Sequence, residues 1–237
     1  MSNKELSRLQ IIAKDSWYAK GVSSKMVEYS FEIFSRHIHG GRILEMGPAE
    51  GIMTSLLLQV SGSLTLLEGA KHFCDELSRR YPQASVVHSL FEDYEPTEKY
   101  DCIVLGHVLE HVEAPDSIVR KAAQWLNPGG KVIAAVPNSW SIHRQAAVLM
   151  GLLPCEDSLN EMDIHHGHRR VYNPISFKEV FVQAGLCIRH FGGYWLKPVS
   201  NAQIEEAWNP EMLKAFMQMG ERYPDIAAEI YIIAELT

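Results

Sequence analysis

Histidine titrates closest to neutral pH of all side chains, and this chain of 237 residues carries eleven of them. Two lie in the run Gly106–His107–Val108–Leu109–Glu110–His111–Val112. Three more crowd into Asp163–Ile164–His165–His166–Gly167–His168–Arg169–Arg170, with Tyr172 just beyond. Imidazoles so placed suit general-base work, and His107, His111 and His166 are the candidate bases. For His111 a structural role, tying a strand to its neighbouring helix, competes with the chemical one. The segment 163–172 has three readings. It is a solvated loop whose arginines pair with nearby acids; a wall that recognises an anion through the arginine fork; or a metal site in which His165 and His168 share a face and Asp163 adds an oxygen. No metal motif is matched, and none is assigned. On the second reading His165, His166, His168, Arg169 and Tyr172 line a substrate pocket.

The elements that position these residues begin with an apolar run, Tyr100 to Leu105, which reads as a buried strand ending just before His107. An earlier stretch sets the frame. Ile43–Leu44 opens a strand, Glu45 follows, and a turn runs from Gly47 to Gly51 before a helix over Ile52 to Val60. A second strand, Leu64 to Leu67, ends at Glu68. Strand, glycine turn, helix, strand and acid make the βαβ unit that binds the ribose of an adenine-containing cofactor. Glycine lets the backbone turn sharply and a ligand come close. The helix start directs free N–H groups at the turn, and the Glu68 carboxylate can accept both hydrogen bonds of a ribose diol. A nicotinamide dinucleotide wants further glycines two and five residues after the first. Counted from Gly47, those positions hold Ala49 and Ile52, so a ribose cofactor without a diphosphate fits better.

The string ILEMGPAEG resembles the first motif of class I S-adenosylmethionine-dependent methyltransferases, commonly D/E-x-G-x-G-x-G, with Ala49 where the middle glycine often stands. The ordered segments YDCIVLGHVLEHV and LNPGGKVIAAVPN are similar to the fourth to sixth motifs of small-molecule members, including the ubiquinone-biosynthesis group. The resemblance covers residues 40–137 well and the rest loosely. It implies an α/β fold: a doubly wound, Rossmann-like sheet of seven strands in the order 3-2-1-4-5-7-6, an antiparallel last strand, N-terminal helices and a helical insertion after strand 5. It also implies S-adenosyl-L-methionine as cofactor and S-adenosyl-L-homocysteine as product. The implied cofactor residues are Tyr18, Glu45, Gly47, Pro48, Ala49, Gly51, Ile52, Glu68, Gly69, Ala70, Ser89, Leu90, Phe91, Gly106 and His107. Ser89 takes the place of the family's usual adenine-holding acid. Trp17, Tyr18 and Lys20 could reach the cofactor's carboxylate or simply pack and solvate. The reaction implied is methyl transfer by in-line displacement to an O or N atom of a small anionic or polar metabolite. An NAD-dependent oxidoreductase and a non-catalytic S-adenosylmethionine-binding protein are the alternatives.

Size and charge agree with a single domain, read as a helical cap (1–39), a cofactor half (40–137) and a substrate-side half (138–237). The net charge of −7 disfavours a nucleic-acid partner. No apolar run is long enough for a membrane span, and the first residues lack a signal peptide's apolar centre, so a cytoplasmic enzyme is expected. A homodimer is compatible with the sequence. The four cysteines are widely separated, which indicates neither a disulfide framework nor a cysteine zinc site. Helices are expected over 3–15 and 21–38, then 70–80, 116–126, 176–184 and 201–220. Strands are expected over 84–87, 131–136, 186–191 and 228–235, with a tight turn at Asn127–Gly130 and a kink at Gly192–Gly193.

Overall fold

Alternating apolar residues decide the layers of this fold. A computed structural model describes residues 5, 8–10, 12 and 20–236. Helix α1 (Gly21–Phe34) precedes strand β1 (Arg42–Met46), α2 (Ile52–Leu57), β2 (Ser63–Glu68), α3 (Lys71–Arg80) and β3 (Ser85–His88). The second half starts with β4 (Tyr100–Gly106), α4 (Pro115–Gln124) and β5 (Leu126–Pro137). After α5 (Ile142–Leu149), α6 (Glu161–His165) and α7 (Pro174–Gln183) come β6 (Leu186–Tyr194), α8 (Asn201–Ala207), α9 (Pro210–Arg222) and β7 (Glu229–Leu236). The sheet order is β3-β2-β1-β4-β5-β7-β6, parallel except for β7, which runs antiparallel to both β5 and β6. This is the α/β architecture expected from the sequence.

Side chains on a strand alternate between faces. Ile43, Leu66, Val104, Ile133 and Tyr231 therefore pack beneath α1, α2, α3 and α9. Leu44, Leu67, Ile103, Val132 and Ile232 take the other face, with Ile118 of α4 and Phe177 and Phe181 of α7. Each buried Leu, Ile or Val contributes about 1.5–3 kcal/mol, and a one-residue slip of a central strand would exchange its two faces and break the packing against both helical layers. With both layers full, the ligand space lies at the strands' carboxyl ends.

Three expectations shift. Residues 126–130 belong to β5, where Leu126 pairs with Tyr100 before a register break, so the Asn127–Gly130 segment is an irregular strand entry. Strand β6 runs through Gly192 and Gly193 to Tyr194; a Cβ on Gly192 would meet the Tyr231 ring, so the glycines permit close packing where a kink was expected. The helical stretch 201–220 divides into α8 and α9 because Asn209 caps the second helix through Met212 N (2.8 Å) and Pro210 begins it. Of the expected 3–15 helix, the described residues are helical. Among the described residues no helix is long and apolar enough to cross a membrane.

Candidate active site

The turn between β1 and α2 takes its shape from backbone angles that few side chains tolerate. Gly47 and Gly51 have φ of 67° and 79°, and Ala49 between them has φ 47°. For alanine this left-handed conformation costs about 1–2 kcal/mol. The turn is braced from β2: Glu68 accepts from Ala49 N (3.2 Å) and from Ala70 N (2.7 Å). Burial raises the Glu68 carboxyl above its usual range, and these backbone donors partly offset the rise. Burial also pushes Glu45 up to about 8, though Thr54 Oγ1 donates to it at 2.6 Å.

A cavity of about 700 Å³ opens over this turn. Its walls include every implied cofactor residue except Tyr18, which lies outside the described residues, as does Trp17. Lys20 is exposed at the start of α1 and does not line the cavity. The sequence reading missed Val27 and Ser30 of α1, Phe73 of α3 and Leu9 of the N-terminal helix, all of which line it. Helical apolar periodicity marked those helices as packing elements without saying which positions face a ligand. Leu9 reaches over Gly69, where a Cβ would collide with it.

Beyond β4 the chain makes an open turn, 107–113, before α4 starts. His107, His111, Val112 and Glu113 of this turn line the cavity. His107 has φ 58°, and its N–H donates to Ala135 O (2.9 Å). Its Nδ1 lies 3.3 Å from Glu110 Oε1, at ion-pair distance but not aligned for a hydrogen bond. Its Nε2 lies 3.3 Å from Tyr194 Oη and 3.8 Å from Glu229 Oε2. Burial opposes a charge on His107, but Glu110 and Glu229 outweigh it and raise its pKa. Burial alone would raise Glu110, yet His107 and the nearby His111 and His168 hold it low. Burial lifts Glu229 to about 7. Both nitrogens of His107 thus face protein groups.

Burial drives His111 down to about 4, and its ring interacts with the Gly167 carbonyl. His166 also lines the cavity and is lowered to about 4 by burial and by His168. Both are neutral at pH 7, the state a proton acceptor needs.

The histidine-rich segment divides. His166 and Arg169 reach the cavity; His165, His168 and Tyr172 do not. His165 is exposed. His168 Nδ1 turns to Asp163 Oδ1 (3.1 Å), whose other oxygen meets Arg144 Nη1 (3.1 Å). Tyr172 is buried. The arginines are committed to the protein. Arg169 Nε donates to His111 O (2.8 Å) and Nη2 to Glu5 Oε2 (2.8 Å). Arg170 Nη1 donates to Val112 O (2.7 Å) and Leu109 O (3.3 Å), and Nη2 to Glu113 O (3.0 Å). The anion-recognising wall therefore loses most of its donors. The metal reading with His165 fails on that residue's position. Instead Glu110, His111 and His168 bring ligating atoms within 4.8 Å of one another, a donor set that a divalent cation could take.

Comparison with known proteins follows the same line. A family described as "Methyltransferase domain" matches residues 18–190. The ubiquinone biosynthesis O-methyltransferase of Hydrogenovibrio crunogenus is 27% identical over 169 residues, covering 68% of each chain. That of Aeromonas salmonicida is 24% identical over 174 residues, 69% of this chain and 70% of its own. The solved N-methyltransferase NodS of Bradyrhizobium japonicum, in complex with S-adenosyl-L-homocysteine, is similar in fold at a TM-score of 0.63 and 13% identity, covering 98% of this chain and 97% of its own.

Proposed function

We propose that this chain, which belongs to the methyltransferase domain family and is an S-adenosylmethionine-dependent methyltransferase, methylates an oxygen or nitrogen of a small, polar, uncharged acceptor. The supporting observation is the cavity of about 700 Å³, walled by the glycine turn and Glu68 on one side and by His111 and His166 on the other. Its residues fit S-adenosylmethionine. Gly47 leaves open a position where a Cβ would press on Val108 at 3.1 Å, and Glu68 offers the acceptor a ribose needs. Bound there, the sulfonium supplies an already activated methyl group.

The chain's own part is positioning and proton handling. Positioning of two reactants can contribute on the order of 7–11 kcal/mol. His111, neutral and beside the ionised Glu110, takes the acceptor's proton, and the carboxylate stabilises the imidazolium that forms. His107, gripped between Glu110 and Glu229, is assigned to shaping the turn. The anionic acceptor expected from the arginines gives way to an uncharged one, because Arg169 and Arg170 are bonded to carbonyls and to Glu5. The test is a single-turnover incubation of the purified protein with methyl-labelled S-adenosylmethionine and the small-molecule fraction of a cell extract. The expected result is one labelled metabolite whose fragmentation places the methyl on O or N. Label appearing only on protein or RNA would refute the proposal.

A further inference from the structure

The histidine-rich segment leaves one question: what its arginines do for a site they do not fill. Five consecutive carbonyls, Leu109 to Glu113, point at residues 169–172. Leu109 O accepts from Arg170 Nη1 (3.3 Å) and Tyr172 Oη (3.2 Å), and Glu110 O from Arg169 N (2.8 Å). His111 O accepts from Arg169 Nε (2.8 Å), Val112 O from Arg170 Nη1 (2.7 Å) and Glu113 O from Arg170 Nη2 (3.0 Å). In a helix these carbonyls would bond to N–H groups four residues on. Here the chain is held open, and donors from another part of the sequence satisfy them.

We infer that Arg170 is a positioning residue for methyl transfer, acting with Tyr172 to hold the turn 107–113 in the shape that presents His111 to the cavity. The inference rests on the methyl-transfer reading. Arg170 does not line the cavity, so any effect on the reaction must pass through the turn. Its planar fork reaches three carbonyls at once, and a lysine ammonium at the end of a flexible stem does not reproduce that geometry. Arg169 joins the grip but also lines the cavity and bonds Glu5, which makes it the poorer probe. The left-handed φ of 58° at His107 is a second sign of an imposed shape.

The test compares wild-type protein with Arg170→Ala, Arg170→Lys and Tyr172→Phe. Imidazole ¹⁵N spectra of histidine-labelled protein report the turn with no acceptor needed, and calorimetry gives the S-adenosylmethionine Kd. Single-turnover transfer to the extract acceptor gives the rate. In Arg170→Ala the His107 and His111 signals move while the exposed His72 does not, Kd stays within about threefold, and the rate falls about 100-fold, as expected for reactants misplaced by about 1 Å. Ethylguanidine restores part of the rate; Arg170→Lys does not recover it. Tyr172→Phe, which removes one donor and keeps the ring, loses about 2–10-fold. Unmoved His107 and His111 signals with an unchanged rate overturn the inference, as does full activity in Arg170→Lys. Should Arg170→Ala not fold, the Lys and Phe variants decide by the same criteria. Failure of the methyl-transfer reading shows separately, as wild-type protein that transfers no methyl group to any small molecule of the extract, whether or not it binds S-adenosylmethionine.

Discussion

Replacing Glu68 with glutamine separates the cofactor's grip from the fold. Glu68 accepts from Ala49 N (3.2 Å) and Ala70 N (2.7 Å), so its side chain ties the glycine turn to the end of β2. Glutamine keeps the size but has one accepting oxygen. Bonded to Ala70 N, it would present an NH₂ group to Ala49 N and to one ribose hydroxyl. A hydrogen bond to a charged acceptor is worth about 1.5–3 kcal/mol. At about 1.4 kcal/mol per tenfold, losing one weakens S-adenosylmethionine binding by roughly 10- to 150-fold. Stability should change far less, because burial already disfavours the Glu68 charge and a neutral amide escapes that penalty. The two effects offset, leaving a change within about 1 kcal/mol. Calorimetric titration and urea unfolding of the variant measure both. An affinity within threefold of wild type would refute the assignment of the ribose to Glu68. So would a loss of stability as large as the loss of binding.

Ala49→Gly relieves a left-handed alanine, so thermal unfolding should show a gain of about 0.5–1 kcal/mol with the cofactor Kd nearly unchanged. Gly220→Ala should destabilise by about 1–3 kcal/mol in the same assay, because its Cβ would strike the Tyr194–Trp195 backbone where α9 crosses β6. His111→Gln should lower the single-turnover rate about 100-fold or more, with the wild-type rate nearly flat from about pH 6 to 8 because the base titrates near 4. Acidification acts on folding stability through two opposed sets of groups. His111 and His166 (about 4) and His143 (about 3) bind protons less readily folded than unfolded, so their contribution is full above about pH 6.5 and fades as pH drops toward 4, whereas Glu45 (about 8) and Glu229 (about 7) bind protons more readily folded and oppose that loss. His143→Gln removes one member of the first set, so the urea midpoint of wild type should lose ground to that variant from pH 7 to pH 5; wild type gaining on the variant would contradict this.

The glycine turn and the carboxylate that braces it were legible because their information is local. Gly47, Gly51 and Glu68 sit within one βαβ unit, and the left-handed backbone angles of the turn favour glycine at the first two. The strand order came from resemblance; the register was not legible, because β4 and β5 are buried on both faces and read as near-continuous apolar runs that favour no one pairing. The acceptor side was opaque for a physical reason. Glu229 opens β7 more than a hundred residues after His107, yet its carboxylate lies 3.8 Å from that ring. No spacing rule links the two. The arginines of segment 163–172 read either as partners of nearby acids or, for Arg169, as an anion binder, because side-chain chemistry alone cannot show that the turn at 109–113 leaves carbonyls to be satisfied. The break between α8 and α9 was written in Asn209–Pro210, a cap and a first-turn proline that amphipathic periodicity obscured.

A crystal structure with S-adenosyl-L-homocysteine bound would test the central claim most directly. The ribose hydroxyls should lie on Glu68, the adenine beside Ser89, Leu90 and Phe91, and the sulfur toward the 107–113 turn. Density for the ligand outside the cavity, or within it with the sulfur turned away from His107 and His111, would contradict the account.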